Sequence, residues 1–336
     1  MYENNGVYTV ESPVYVQNVG LVGGLEEKRS FVGQSLDEWN KDLYFGESSF
    51  ECAEQKMVTL SINHCLHKSI DTTVDAIIAG DLTNQMIASH YAFRQFPCSF
   101  LGVFSACATS MEAIGIGALL LAQMNIRQVI CTVSSHIGVT NRQFRYPIGF
   151  ATVKPQSAMR TVTGAASVML SKAHTNIKVR TIVFGNVIDD GTKNPLDLGR
   201  AMAPAAVSTL KKFLGNDDIS TLDAVITGDL SQYGSEKFLK LCKEEGIELG
   251  GRHIDAGIKI YEHLKNEISG GSGAACSALV IYSYVFDQIK KGVWKKVLCL
   301  ATGALFNSTK INQSESIPCI AHGIVFEFDK GGGLVE

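Results

Sequence analysis

A chain of 336 residues exceeds what one hydrophobic core usually organises, so two domains or two equivalent halves are expected. Apolar residues at 46% and charged residues at 19% exclude a disordered or coiled-coil chain. A formal charge of −3 excludes the surplus of Lys and Arg that neutralises phosphates, so no nucleic-acid partner is expected. The opening MYENNGVYTVESPVYV lacks the basic and apolar regions of a secretion signal. Apolar runs such as IGIGALLLAQM are too short to span a bilayer, and the expected location is the cytoplasm.

In chain order, the first helix is predicted over about Glu51 to Ile70, followed by a strand at Ala76 to Ala79 and a Gly80-Asp81 turn. A helical pattern over Asn84 to Phe93 leads to the short strand FLGVFS, which delivers Ala106-Cys107-Ala108 to an apolar helix from about Thr109 to Met124. A buried strand, Gln128 to His136, then ends in small polar residues. The order returns later. DAIIAGDLTNQ from Asp75 comes back as DAVITGDLSQY from Asp223, followed by a helix around Glu236 to Glu245, a Gly-rich approach to a second apolar helix within Ile268 to Ile289, and the strand Lys296 to Ala304.

Strands alternating with helices predict parallel sheets covered on both faces. The helices opening near Cys107 and Ala275, rich in Gly, Ala and Ser with few charges, suit a position between two sheets. No Gly/Ser linker or charge run divides the halves, which are expected to form one pseudo-dimeric body, residues 1–178 and 179–336.

Nine cysteines, with no C-x-x-C pair, match a reducing compartment. Only HCLH, His64 to His67, bunches possible metal ligands. It lies in a helical rhythm, which favours an ordinary helix surface over a metal site. Cys107 is the most informative residue, because a thiol opening a helix meets unpaired N–H groups and the helix dipole, which favour the thiolate. A small buried cysteine that merely packs is the alternative.

Cys107 in ACATSMEA resembles the nucleophile elbow of the thiolase superfamily, in its β-ketoacyl-ACP synthase III branch. VICTVSSH, TVTGAASVML, SGGSGAACSA and ATGAL are similar to that family's later strands and Gly-rich segments, so the resemblance covers nearly the whole chain. It implies an α/β thiolase-like fold, two pseudo-equivalent β-α-β-α-β halves forming a five-layer α-β-α-β-α sandwich. It also implies a homodimer. The enzymes activate their cysteine with His and Asn or two His. At the matching places this chain has Gly228 and Asp229, and Gly270 to Gly273, so Cys107 is a nucleophile position without its usual partners. Cys299 is similar to the second thiolase cysteine but sits about two places early and reads as strand core.

Longer strings, among them AGDLTNQ, FSACATSMEA, SSHIGVTNRQFRYP, RAMAPAA and IPCIAHGIVFE, resemble the stage V sporulation protein AD family of spore-forming Firmicutes. That resemblance implies no catalysis and no cofactor. It implies a protein that binds dipicolinic acid (pyridine-2,6-dicarboxylate), with calcium as part of the bound chelate. Its implied role is uptake into the developing spore, from the forespore cytoplasm and peripheral to the spore inner membrane, with membrane-embedded partners of the stage V A operon. An acyltransferase of the synthase III type using Cys107 is the rival.

A flat dianion asks for an apolar slot with N–H, hydroxyl or guanidinium donors. The expected ligand-binding residues are Cys107, Ser134, His136, Arg142, Arg145, Asp229, Gly271 and Ser272. For Arg142 and Arg145 a solvated or interface role is the alternative, and for His136 a satisfied core imidazole. For Asp81 and Asp229 turn capping competes with a calcium contact.

Overall fold

The computed structural model describes residues 6–144, 155–265 and 267–331. Its main strands are β1 (Val7–Gly23), β2 (Ala76–Gly80), β3 (Ser99–Gly102), β4 (Gln128–Ser135), β5 (Gly164–Ser171), β6 (Ile177–Val183), β7 (Ala224–Thr227), β8 (His253–Asp255), β9 (Lys296–Ala304) and β10 (Cys319–Phe328). They follow one path in the order β8, β7, β9, β10, β6, β1, β5, β4, β2, β3. Read outward from the central β1–β6 pair, the two sides mirror each other, and the repeated strands β2 and β7 hold the same place in each.

The pairing is mixed rather than all parallel. β2 is parallel to β3 and β4, and β7 to β8 and β9, whereas β5, β1, β10 and β6 join antiparallel. β5 and β1 therefore close one side, and β10 and β6 the other, by antiparallel ladders that need no crossover helix. β1, outside the sequence expectation, joins the sides antiparallel to β6, and its register shifts between Thr9 and Val14. Pro13 lies in that interval and has no N–H for a ladder, so the strand kinks and pairs on with β5.

Helix α1 (Phe50–His67) covers β1, β5 and β4 from outside. The buried helix α2 (Thr109–Gln123) packs against β1, β2 and β4 on one side and β9 and β10 on the other. Its stretch Ala106–Gln123 has the length and apolarity of a membrane span, more than the sequence reading assigned, and most of it is buried inside the fold. Gly117 allows the close fit, since a Cβ there would stand 2.9 Å from Cys131 Sγ on β4. A larger residue would have to displace the side chains of Cys131 and Val129 or the helix itself, at a cost in close packing.

The remaining helices near the site are α3 (Ile137–Phe144), α4 (Leu198–Leu214), α5 (Ser231–Glu244) and α6 (Ala274–Val280). α5 starts earlier than the apolar rhythm suggests. Asp255 at the end of β8 accepts from Leu230 N and Ser231 N, both at 2.9 Å, so the backbone donors of the first turn are met from another strand.

Candidate functional site

The site lies where the C-terminal ends of β4, β7 and β9 meet the start of α2. Ala106 takes a left-handed φ of 50°, rare for a residue with a side chain, and this turn sets Cys107 at the mouth of the helix. Thr109 fixes the turn, accepting from Ser105 N at 3.0 Å and donating to Ala106 O at 2.7 Å. Gly303 in the ATGAL loop presses against it from β9, for a Cβ there would sit 2.2 Å from Ser105 O. Only glycine allows that approach.

Beneath Cys107 lies Asp229, which is 1% exposed. Its carboxylate accepts from Thr302 Oγ1 at 2.8 Å, Gly273 N at 3.1 Å and Ser272 Oγ at 3.2 Å, and it hydrogen-bonds the Cys107 thiol. Burial pushes its pKa up to about 6 against the pull of those donors. Burial, then the charge of Asp229, raises the Cys107 thiol well above the ordinary thiol range. Burial first, and then the neighbouring carboxylate, thus oppose the thiolate that the helix end and the Gly273 and Ser272 donors favour.

Cys107 and Ser272 line a slot with Leu82, Phe104, Thr140, Phe144, Thr161 and Phe306, among others. Its volume of about 70 Å³ is far below the several hundred Å³ typical of drug-sized sites, which restricts an occupant to something compact. The Thr140 and Thr161 hydroxyls hydrogen-bond each other at 2.9 Å, and Thr140 Oγ1 also lies 3.1 Å from His136 O.

Three expected site residues point elsewhere. Ser134 is fully buried and donates to Glu54 Oε1 at 2.8 Å. His136 is a satisfied core imidazole: Nε2 meets Leu43 O at 2.8 Å, Nδ1 accepts from Gly138 N at 3.0 Å, and the ring stacks on Phe50. Burial lowers its pKa and keeps it neutral. Arg142 leaves the slot for the surface, where it pairs with Glu51 Oε1 at 2.8 Å over the Phe50 ring. Arg145 lies outside the described residues.

Gly271 acts through its backbone. A Cβ there would meet Ile260 Cγ2 at 2.6 Å, and its carbonyl accepts from Ser231 Oγ at 3.0 Å. Asp81 is a cap, with one oxygen accepting from Thr83 N and Oγ1 and the other from Ser89 N at 2.8 Å and Ser89 Oγ at 2.6 Å. Among the described residues no group of three or more His, Cys, Asp or Glu gathers as a metal-ligand set, and His64 pairs with Glu38 instead. Cys299 is fully buried in β9, as strand core.

Thr302, Gly273, Phe104 and Phe306 are not among the expected site residues, whereas Phe144 lies in the SSHIGVTNRQFRYP segment that is expected to supply the slot. Thr302 had a signal, a hydroxyl at a strand end beside a Gly in the Gly-rich loop. Phe104 also had one, next to the elbow in VFSAC.

The fold resembles solved structures of low identity. A variant of Xanthomonas campestris OleA matches with a TM-score of 0.60 and 11% identity, over 96% of this chain and 100% of that one. The 3-oxoacyl-[acyl-carrier-protein] synthase III of Aquifex aeolicus VF5 matches with a TM-score of 0.53 and 11% identity, over 94% and 100%. These show a thiolase-like fold. By sequence the chain is 37% identical over 330 residues to stage V sporulation protein AD of Bacillus subtilis strain 168, covering 97% of each. The family model for stage V sporulation protein AD matches residues 5–327, and the chain belongs to that sporulation family.

Proposed function

We propose that this sporulation protein binds dipicolinic acid as its calcium chelate in the slot over Cys107 and supports its uptake into the developing spore. The observation that carries the reading is the slot itself. Phe104, Phe144 and Phe306 give the slot aromatic walls, with Phe144 and Phe306 edge to face, and Cys107, Thr161 and Ser272 bring polar groups to the same small space. Among the described residues the lining has no basic side chain, and Asp229 lies below it. A bare dicarboxylate would meet a buried carboxylate without a compensating cation, whereas the chelate brings its own calcium and is neutral. Calcium enters as part of the ligand, and no cofactor is required.

In this reading the protein works in the forespore, peripheral to the spore inner membrane, with membrane-embedded proteins of the same operon. It pairs with a second copy through the edge strand β3, where Leu101 and nearby Phe104 are exposed.

Calorimetric titration of the purified protein with calcium dipicolinate should give a saturable heat, larger than with dipicolinate or calcium alone. No heat at millimolar chelate would remove the proposal. The second reading, acyl transfer at Cys107, is favoured by the strained Ala106 turn that presents the thiol. A gain of acyl mass from acyl-CoA that disappears in Cys107→Ser would support it.

A further inference from the structure

We infer that Asp229 is a positioning residue that holds Cys107 as a protonated, non-nucleophilic thiol. The geometry carries this. The Asp229 carboxylate stands against the Cys107 thiol and is held in place by Thr302 Oγ1, Gly273 N and Ser272 Oγ; Gly273 N and Ser272 Oγ also reach the sulfur, and they pull less strongly than burial and the carboxylate push. A carboxylate fixed by three other donors has little freedom to turn away, so the thiol keeps its proton as a donor to that oxygen. Loss of the proton would set two negative charges side by side in a buried site.

The other titratable groups around the pair reinforce it. Cys276 on α6 and Asp255 at the end of β8 both face this cluster, and neither brings a positive charge. The buried imidazole of His322 touches Ser105, two residues before Cys107. Its Nδ1 accepts from Gly185 N at 3.2 Å, which leaves a neutral ring directed at Ser105 and not at the sulfur. A turn that in outline presents a nucleophile is thus disarmed by the acid that stands where related enzymes place a base. This inference concerns the thiol alone and is independent of the ligand proposed above.

The test is the rate of Cys107 alkylation by iodoacetamide as a function of pH, followed site by site by peptide mass. In that reaction an S–C bond forms as the C–I bond breaks, iodide leaves, and the thiol proton goes to solvent. Cys107 is only partly buried and lines an open slot, so the small reagent has a route to it. In the wild type, Cys107 should react more slowly at pH 8 than the same peptide in the urea-unfolded chain, with its rate still rising above pH 9. Asp229→Asn, which keeps the shape and removes the charge, should react at least about tenfold faster at pH 8, with its profile shifted to lower pH.

A wild-type Cys107 that reacts fully at pH 7, or an Asp229→Asn variant that reacts more slowly, would overturn the inference and make Asp229 an activating base. If the variant does not fold, the wild-type profile against the unfolded reference decides alone. A midpoint at or below that of the unfolded peptide contradicts the inference.

Discussion

The two Gly-Asp-Leu turns, Gly80-Asp81-Leu82 and Gly228-Asp229-Leu230, end equivalent strands and use their aspartates in opposite ways. Asp81 serves its own turn, where Thr83 and Ser89 supply N–H and O–H groups to both of its oxygens. Asp229 does not hold the following turn. Leu230 N and Ser231 N are met by Asp255 from β8, which also accepts from Ile258 N at 2.9 Å and Thr227 Oγ1 at 2.7 Å. With its capping duty taken over, Asp229 reaches across to Thr302, Ser272, Gly273 and Cys107. One triplet thus gives a structural cap in one half and the floor of a site in the other, and the difference lies in the residues around it.

The comparison breaks first on stability. Asp81→Ala strands buried donors at the end of β2 and should cost about 4 kcal/mol in urea unfolding, at an order-of-magnitude cost of 1–3 kcal/mol for each unmet buried group. Asp229→Ala also leaves Thr302, Ser272 and Gly273 donors unmet, but it removes a carboxylate whose burial is itself costly, so the net loss should be about half as much or less. Equal losses would mean that both aspartates are structural.

A smaller effect sharpens the comparison through pH. Asp229 holds its proton up to about pH 6, above the 3.8 of an ordinary aspartate. The folded state therefore binds the proton more tightly than the unfolded one. Its contribution to stability is fully present below about pH 4 and is lost as pH rises through 6. Buried His253 and His322, each lowered to about 4, act with the opposite sign. Their part cancels between the wild type and Asp229→Asn. The stability difference between those two proteins should change by up to about 3 kcal/mol from pH 4 to pH 7, favouring the wild type at the acid end. A constant difference across that range would place the carboxylate in water.

The repeated strands and the elbow at Cys107 were legible in the sequence because both are local signals, an apolar run closed by Gly-Asp and a strand running into an apolar helix. The long β1 was not. Glu11, Gln17 and Asn18 interrupt its apolar pattern, and Pro13 argues against a strand until the register shift beside it is known. At the site, Cys107, Asp229 and Ser272 are the expected residues that the fold brings side by side. Ser134 and His136 were misplaced because a position at a strand end does not tell which way the side chain turns. In the fold, Glu54 from α1 and Leu43 O claim them. Arg142 fell outside the slot for a related reason, since the face of a short helix is decided by its partner, here Glu51. The partners that define Asp229 lie 43 and 73 residues away along the chain, and no local pattern announces them.

The most direct test of the account is a crystal of this protein soaked in millimolar calcium dipicolinate. The account predicts planar density between Phe104, Phe144 and Phe306, touching Cys107 and Ser272, with the calcium held by the ligand's own carboxylates. An empty slot, or ligand bound elsewhere on the molecule, would contradict it.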